Sequence, residues 1–431
     1  MSRLTVTEVR PNEHFRFMAW LICIIGALFY LYEYVLRILP SIMSADLMRA
    51  FDLSAYQFGN FSAYYYYAYT PLQLVIGILM DRYGPRRLLM LACLACTIGA
   101  FIFAHSHSLP LIKFSRFLIG FGSAFAFVGA LKLASIWLPP NRFASVSGAV
   151  TALGMLGAVG GDNLLARFVI QHDWRLTVDL TVWAGIILTF LIVFIVHDKV
   201  KTSKSFYMPE LNLKDLMAGV RQSLKNPYIW INGFIGFVLY LPVAAFAELW
   251  GIPYLSVSHG VNHVDAVHAV SLIFLGWAIG APFNGWLSDF IKKRKLLLNI
   301  GSLGSILLFA IILYCPVALN IFSLYILLFL FGLFTSTQVV VFAISQEYSS
   351  RYIAATAVSL TNMIVMLGGA IFQPLIGYLL DKNWDGKILH GVHVYTPYNY
   401  QYALTTIVIL LIVAAILSFI LRDPKRLAAD K

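Results

Sequence analysis

The sequence predicts an all-α polytopic membrane protein, with twelve transmembrane helices in two pseudo-symmetric six-helix bundles. Hydrophobic residues make up 60% of the 431 positions and charged residues only 12%, and the mean hydropathy is +0.79. A soluble fold does not need that much apolar surface. A charged turn around Asp81 separates two apolar runs, and a similar turn around Asp289 recurs in the second half of the chain. Such turns are excluded from hydrocarbon, so their repetition predicts an internally repeated membrane protein.

Twelve apolar runs are long enough to cross a bilayer, for which about 20 residues suffice. Six runs precede a basic connector and six follow it. We therefore predict an N-terminal half over residues 1–198, a connector over 199–226 that carries a membrane-surface helix, and a C-terminal half over 227–431. The spans are predicted to begin near Phe17, Ser54, Arg87, Pro110, Phe143, Leu176, Tyr228, Val264, Leu296, Leu319, Tyr352 and Tyr400.

The 31 Lys and Arg residues concentrate on one side of this topology, which we call the basic side. It contains both termini, the turn at Arg82, the connector and the cluster at Lys292. The positive-inside rule predicts that the basic side is cytoplasmic, which agrees with an even number of spans. A net charge of +11 then reflects membrane topology, so we expect a lipid bilayer and not nucleic acid as partner. We expect a monomer in a bacterial-type inner (plasma) membrane, anchored by an uncleaved first helix.

The first charged turn reads Gly77-Ile-Leu-Met-Asp81-Arg82-Tyr83-Gly84-Pro85-Arg86-Arg87. It resembles the Gly-x-x-x-Asp-Arg-x-Gly-x-Arg-Arg loop between helices two and three of the major facilitator superfamily of secondary transporters. The second turn keeps the Gly, the Asp and a basic cluster but lacks the second Gly. The resemblance implies two six-helix halves with a site between them. It also implies a cytoplasmic gate formed by Gly77, Asp81, Arg82, Arg86 and Arg87, with Asp289 as the weaker equivalent.

Two acids lie at corresponding places in the halves. Glu33 and Arg37 in span one are four residues apart and can pair across one helical turn. An unpaired charge at the bilayer centre costs about 2.5–3.5 kcal/mol, so we predict that Glu33 couples protons and that Arg37 binds solute. A structural ion pair at the outer rim is the alternative. Glu248 in span seven is followed by a proline, as Glu33 is, and is either a second coupling acid or an interfacial residue.

Further candidates carry charge or polarity inside the spans. Asp162 and Arg116 are predicted to take part in proton coupling. Arg116 begins Arg-Phe-Leu-Ile-Gly-Phe-Gly, which resembles the superfamily's helix-four pattern, where the arginine is linked to proton transfer; its alternative is snorkelling to the surface. Lys132 either binds an anionic group or reaches the headgroups. The predicted substrate ligands beside Arg37 are Tyr30, Tyr64, Tyr67, Lys132, Tyr240, Gln338, Asn362 and Gln373.

These features predict a proton-coupled symporter that imports a small polar solute by alternating access. Positive charge at Arg37, Arg116 and Lys132 favours an organic anion, an amino acid or a small peptide over a cation, and the span-one phrase is similar to that of organic-anion and sugar-acid permeases. A proton-driven exporter and a non-transporting receptor or assembly protein are the alternatives. We find no nucleophile–base constellation, so an enzyme is not expected. No cofactor or metal site is expected either, and the four cysteines lie in apolar runs.

Overall fold

The computed structural model describes residues 13–139, 142–198, 213–315, 318–349, 353–389 and 392–422. Within them the N-terminal half contains nine helices. They are α1 (Glu13–Ile42), α2 (Ser44–Ala50), α3 (Ala55–Leu72), α4 (Ile76–Tyr83), α5 (Pro85–His105), α6 (Leu109–Ser123), α7 (Ala126–Trp137), α8 (Phe143–Gln171) and α9 (Trp174–Ile195). The connector contributes α10 (Leu213–Leu224), and residues 199–212 lie outside the described part of the chain.

The C-terminal half is also helical. Its helices are α11 (Pro227–Leu241), α12 (Gly251–His259), α13 (His263–Ile291), α14 (Arg294–Tyr314), α15 (Ile321–Thr335), α16 (Val340–Glu347), α17 (Ala354–Lys382) and α18 (Pro397–Ile420). A π-helical segment, Pro242–Trp250, joins α11 to α12, and a 3₁₀ turn, Ser336–Val339, joins α15 to α16. Before α18, a short antiparallel hairpin pairs β1 (Ile388–Leu389) with β2 (Val392–His393).

Eleven helical segments in the described residues are long and apolar enough to cross a membrane. The predicted second span, which consists of α3 and α4, is not among the eleven. α3 is rich in tyrosine, and a polar break at Gln73 follows it, which lowers the hydropathy of this span. A capping box between Ser54 and Gln57 fixes the start of α3 at the predicted position.

The two halves pack together through α3 against α17 and through α8 against α13. Close backbone approach joins the first pair. A Cβ added at Gly59 of α3 would lie 2.3 Å from the carbonyl oxygen of Gln373, and one at Gly377 of α17 would lie 2.2 Å from that of Ala55. Only glycine fits at such distances. The halves are therefore closed together where α3 begins and α17 ends, on the side opposite the basic side.

Candidate functional site

Arg37 is the centre of a buried polar cluster between the two halves. Its side chain is only 2% exposed. Nη2 donates to both oxygens of the Glu33 carboxylate, at 2.9 and 3.1 Å, as the four-residue spacing predicts. Nε donates to the Tyr65 hydroxyl at 3.0 Å, and that hydroxyl donates to Glu33 Oε2 at 2.9 Å. Arg37, Glu33 and Tyr65 thus form a closed ring of charge-assisted hydrogen bonds within the N-terminal half.

The C-terminal half completes the cluster. Arg37 Nη1 donates to the Tyr240 hydroxyl at 3.3 Å and lies 3.7 Å from Glu248 Oε1. The Tyr66 hydroxyl from α3 donates to Glu248 Oε2 in a short hydrogen bond. We use the name central cluster for Glu33, Arg37, Tyr65, Tyr66, Tyr240 and Glu248. Glu248 is 1% exposed, so it is not the interfacial residue that the sequence left as an alternative.

The π-helical segment places Glu248 in the cluster. It begins at Pro242, and its wider turn frees backbone groups that an α-helix would use internally. Gln373 of α17 compensates, since Gln373 Nε2 donates to the Ala244 carbonyl at 2.7 Å and the Trp250 indole donates to the Gln373 carbonyl at 3.0 Å. Gln373, predicted as a substrate ligand, therefore supports the backbone that carries Glu248.

Arg116 holds the backbone of α1 directly behind Arg37. Pro40 has no N–H, so the Leu36 carbonyl lacks the partner that an unbroken helix would supply. Arg116 Nη1 donates to this carbonyl at 2.8 Å, and Nη2 donates to the carbonyl of Arg37 at 3.3 Å. At 1% exposure Arg116 does not snorkel to the surface. In the described residues Arg116 has no hydrogen bond to Glu33 or to Asp162. Its contacts therefore do not support the predicted role of Arg116 in proton transfer.

Aromatic rings surround the Arg37 guanidinium. Its Cζ lies 4.3 Å from the centre of the Tyr34 ring, 5.1 Å from that of Tyr65 and 5.2 Å from that of Tyr69. These distances are those of cation–π contacts, which stabilise a desolvated cation. These three tyrosines were not among the predicted ligands, although Tyr65 and Tyr69 are four residues apart and Tyr34 precedes Arg37 by three.

Tyr64 and Tyr67, which were predicted as substrate ligands, lie on the face of α3 that points away from Arg37. The Tyr64 ring contacts Tyr67 and lies under Lys113, and Tyr67 is 40% exposed and bonded to Asn60. Successive helical residues differ by about 100° in direction, so Tyr65 and Tyr66 point to the opposite side of the helix, toward Arg37.

The charges of the central cluster do not balance. One guanidinium faces two carboxylates, and in the described residues Glu248 Oε1 has no hydrogen-bond partner. Burying an unpaired charge is costly, and a single buried cation neutralises only one anion. Within the central cluster one cation therefore serves two anions, and the neighbouring Arg116 guanidinium donates to backbone carbonyls of α1.

The remaining predicted ligands lie around the cluster. The Tyr30 ring packs edge-on against Tyr34 at 5.2 Å. Asn362 Nδ2 donates to Gln73 Oε1 at 2.9 Å, which links the halves nearer the basic side. Gln338 is buried in the 3₁₀ turn, 2% exposed, and within the described chain its Nε2 has no hydrogen-bond partner. These residues do not contact Arg37 through hydrogen bonds in the described structure.

Lys132 belongs to the first charged turn and not to the central cluster. Its Nζ lies 2.6 Å from Asp81 Oδ1, so the prediction that it binds substrate is not supported by its position. On the same side, Gly84 has φ +80°, a conformation that favours glycine. The Asp198 carboxylate, which sequence analysis did not single out, accepts the Arg86 backbone N–H at 2.7 Å.

The other predicted gating residues of the two turns either contact near neighbours or are not closely packed. Arg82 lies over the ring of its neighbour Tyr83, and Arg87 is exposed. A Cβ at Gly77 would meet nothing within 4 Å. In the second turn Arg294 lies 3.3 Å from Asp289 and donates to Glu347 at 2.7 Å. Asp81 and Asp289 each pair with a base of their own half in this structure.

Comparisons with known proteins agree with this architecture. The sequence model of the Major Facilitator Superfamily matches residues 22–373 and 251–431. The probable sulfoacetate transporter SauU of Cupriavidus necator is 22% identical over 372 residues, which cover 82% of this chain and 86% of that protein. The hexuronate transporter of Bacillus subtilis is 22% identical, with 85% and 81% covered.

A solved structure shows the same fold. It is a bacterial homolog of the human lysosomal transporter Spinster, in an inward-facing and unoccupied conformation, with a TM-score of 0.76 and 17% identity. The match covers 95% of this chain and 98% of that one. The family and the fold are those of multi-pass membrane transporters and not of enzymes. The chain therefore belongs to the Major Facilitator Superfamily and is a secondary transporter with relatives in the organic-anion and sugar-acid branch.

Proposed function

We propose that this protein is a proton-coupled symporter that imports a small organic carboxylate by alternating access. Arg37 is the ligand of the solute carboxylate, and Glu33 is the coupling acid. One observation supports this assignment above the others: a single buried guanidinium lies between carboxylates of both halves, hydrogen-bonded to Glu33 and 3.7 Å from Glu248. An entering anion competes for the same guanidinium.

The exchange of partners at Arg37 provides the coupling step. A planar guanidinium can bind a carboxylate through two parallel hydrogen bonds, whereas Arg37 now holds both oxygens of Glu33 through Nη2 alone. When the solute carboxylate takes this position, Glu33 loses its counter-charge in a buried site. A proton from the aqueous side then neutralises Glu33, because burial penalises the charged form. Solute and proton therefore bind together and leave together.

The same contacts connect coupling to the movement of the two halves. Arg37 bonds to Tyr240, and Tyr66 bonds to Glu248, so the central cluster joins helices of both halves. Binding of a solute at Arg37 changes these contacts, and a ligand shifts a conformational equilibrium only through such differential contacts. The sulfoacetate and hexuronate named for the two relatives both carry a carboxylate, which supports the proposed chemistry.

Uptake into proteoliposomes with an imposed inward proton gradient tests the proposal. The panel contains labelled sugar acids, sulfonated carboxylates, amino acids and dipeptides. We expect one class to accumulate, and we expect Glu33→Gln to abolish accumulation while it retains exchange of solute. Arg37→Lys should raise KM by at least about tenfold, because an ammonium does not reproduce the bidentate contact.

Tyr64→Phe, on the far face of α3, is the matched control and should behave like the parent protein. Accumulation by Glu33→Gln to the parental level would contradict the coupling role of Glu33. Release of preloaded solute in response to an inward proton gradient would instead identify an exporter.

A further inference from the structure

Asp162 of α8 is a buried carboxylate that the proposed coupling step does not use. It is 1% exposed, and in the part of the chain that the structure describes its Oδ2 has no hydrogen-bond partner. Its neighbours place it at the contact between the halves. Gly161 packs against Val35 and Ile38 of α1, and Asn163 Nδ2 donates to Ser271 of α13 at 3.2 Å. An orphaned acid in such a position calls for a ligand or a proton.

Asp162 and Glu248 form an acidic region next to Arg37. Asp162 follows Gly161, which packs against Ile38, the residue next to Arg37, and Glu248 Oε1 lies 3.7 Å from Arg37 Nη1. Glu248 Oε1 also lacks a hydrogen-bond partner among the described residues. Glu33 already occupies two hydrogen bonds of Arg37, and the Nη atoms of Arg116 are bonded to backbone carbonyls of α1. Among the described residues, three acids therefore share this region with two guanidinium groups, and of these two Arg37 is the one that contacts a carboxylate.

This excess of carboxylates over guanidinium groups favours one class of solute over another. The symported proton compensates the charge of a simple organic anion, but such an anion leaves the oxygens of Asp162 and Glu248 without a partner. A solute with a carboxylate and an ammonium group leaves the total charge unchanged, and its ammonium meets the unpaired oxygens of Asp162 and Glu248. Ammonium groups are also stabilised by aromatic faces, such as those that surround Arg37.

We infer that the solute is a zwitterion, of the amino acid or small peptide class, whose carboxylate binds Arg37 and whose ammonium binds Asp162 and Glu248. The inference rests on the proposed carboxylate transport and restricts its substrate class. It also separates this chain from its relatives named for sulfoacetate and hexuronate, neither of which carries an amino group.

Matched solutes that differ only in the amino group test the inference. Labelled alanine and dialanine are compared with lactate and with N-acetyl-dialanine for gradient-driven uptake into proteoliposomes. We expect an amino solute to be taken up with a kcat/KM at least about tenfold above that of its partner, because the unpaired acids reject a solute without the ammonium. Asp162→Asn should reduce that preference at least about tenfold.

Asp179→Asn is the control, since Asp179 lies in α9 beside His105, away from the cluster. Equal uptake within each pair, or an unchanged preference in a monodisperse Asp162→Asn protein, would overturn the zwitterion inference and leave carboxylate symport standing. Failure of every carboxylate to accumulate would overturn both. Accumulation of the amino solutes by Glu33→Gln would overturn the coupling step alone.

Discussion

The position of Pro40 in α1 explains the hydrogen bonds of Arg116. Because Pro40 leaves the Leu36 carbonyl without a helical donor, the buried guanidinium of Arg116 fills that position and fixes the turn that carries Arg37. We therefore propose that Arg116 is a positioning residue, whose effect on transport passes through the orientation of Arg37. A proton-transfer role would instead make coupling depend on Arg116.

Substitution of Arg116 separates these roles. Arg116→Gln should raise the KM for solute at least about tenfold, leave the ratio of protons to solute unchanged, and destabilise the protein by about 1–3 kcal/mol through the unpaired carbonyl. Solute uptake, proton uptake and thermal unfolding measure the three quantities. Arg175 is a matched control because it also donates to backbone carbonyls, those of Ala104 and Ser106, far from the cluster. Arg175→Gln should lower stability without raising KM. If Arg116→Gln instead took up solute without protons and with an unchanged KM, the proton-transfer hypothesis would be supported.

Only part of the site could be predicted at the level of single residues. Spacing alone placed Glu33 beside Arg37, because both lie on one helix. Glu248 was singled out by its intramembrane position, but its contact with Arg37 depends on how the halves meet. Tyr65, which bonds to Arg37, was not predicted, because a run of tyrosines carries no information about helix orientation. That orientation is set by neighbours, such as the close approach of Gly120 to the Tyr65 carbonyl.

At the scale of helices, one acid joins α17 to α3. Asp381 lies in the last turn of α17, where the helix dipole disfavours negative charge, but it meets the N-terminus of α3, where the dipole favours it. Its Oδ1 accepts the Ala55 N–H at 3.1 Å and its Oδ2 the Tyr56 N–H at 2.8 Å. The Tyr395 hydroxyl donates to Oδ1 at 2.5 Å. This contact closes the side opposite the basic side, so we expect it to break when that side opens.

Amide hydrogen exchange tests whether the Asp381 carboxylate holds α17 to the N-terminus of α3. Asp381→Asn should accelerate exchange in the first turn of α3 at least about tenfold, because local opening exposes amides that the carboxylate now protects. Mass spectrometry of the protein in nanodiscs measures the rate. Asp385→Asn is the control, as Asp385 contacts Lys387 within the same loop. Exchange at the parental rate in Asp381→Asn would show that the carboxylate does not hold the halves together.

The helices were more predictable than their irregularities. Apolar runs of sufficient length gave span starts that lie within a few residues of the observed ones, for example Pro110 against a helix that begins at Leu109. The break at Gln73 and the π-helical turn before Trp250 were not predicted. Both depend on tertiary partners, Asn362 and Gln373, which no local pattern identifies.

At the scale of the whole molecule, the repeated charged turn predicted the arrangement that the structure and the family assignment confirm. Two helical halves enclose a buried cluster to which each contributes an acid. The boundaries 1–198, 199–226 and 227–431 and the cytoplasmic location of the basic side stay predictions. Rocking of the halves about such a cluster is the proposed transport motion.

Proton movement coupled to solute uptake tests the central claim most directly. Proteoliposomes with weakly buffered external solution and a clamped membrane potential receive a pulse of solute, and a pH dye reports external protons. The parent protein should make the outside more alkaline in proportion to the solute taken up, whereas Glu33→Gln should exchange solute with no proton movement. The same proton-to-solute ratio in Glu33→Gln, or acidification by the parent, would contradict the assignment of Glu33 as the coupling acid of a symporter.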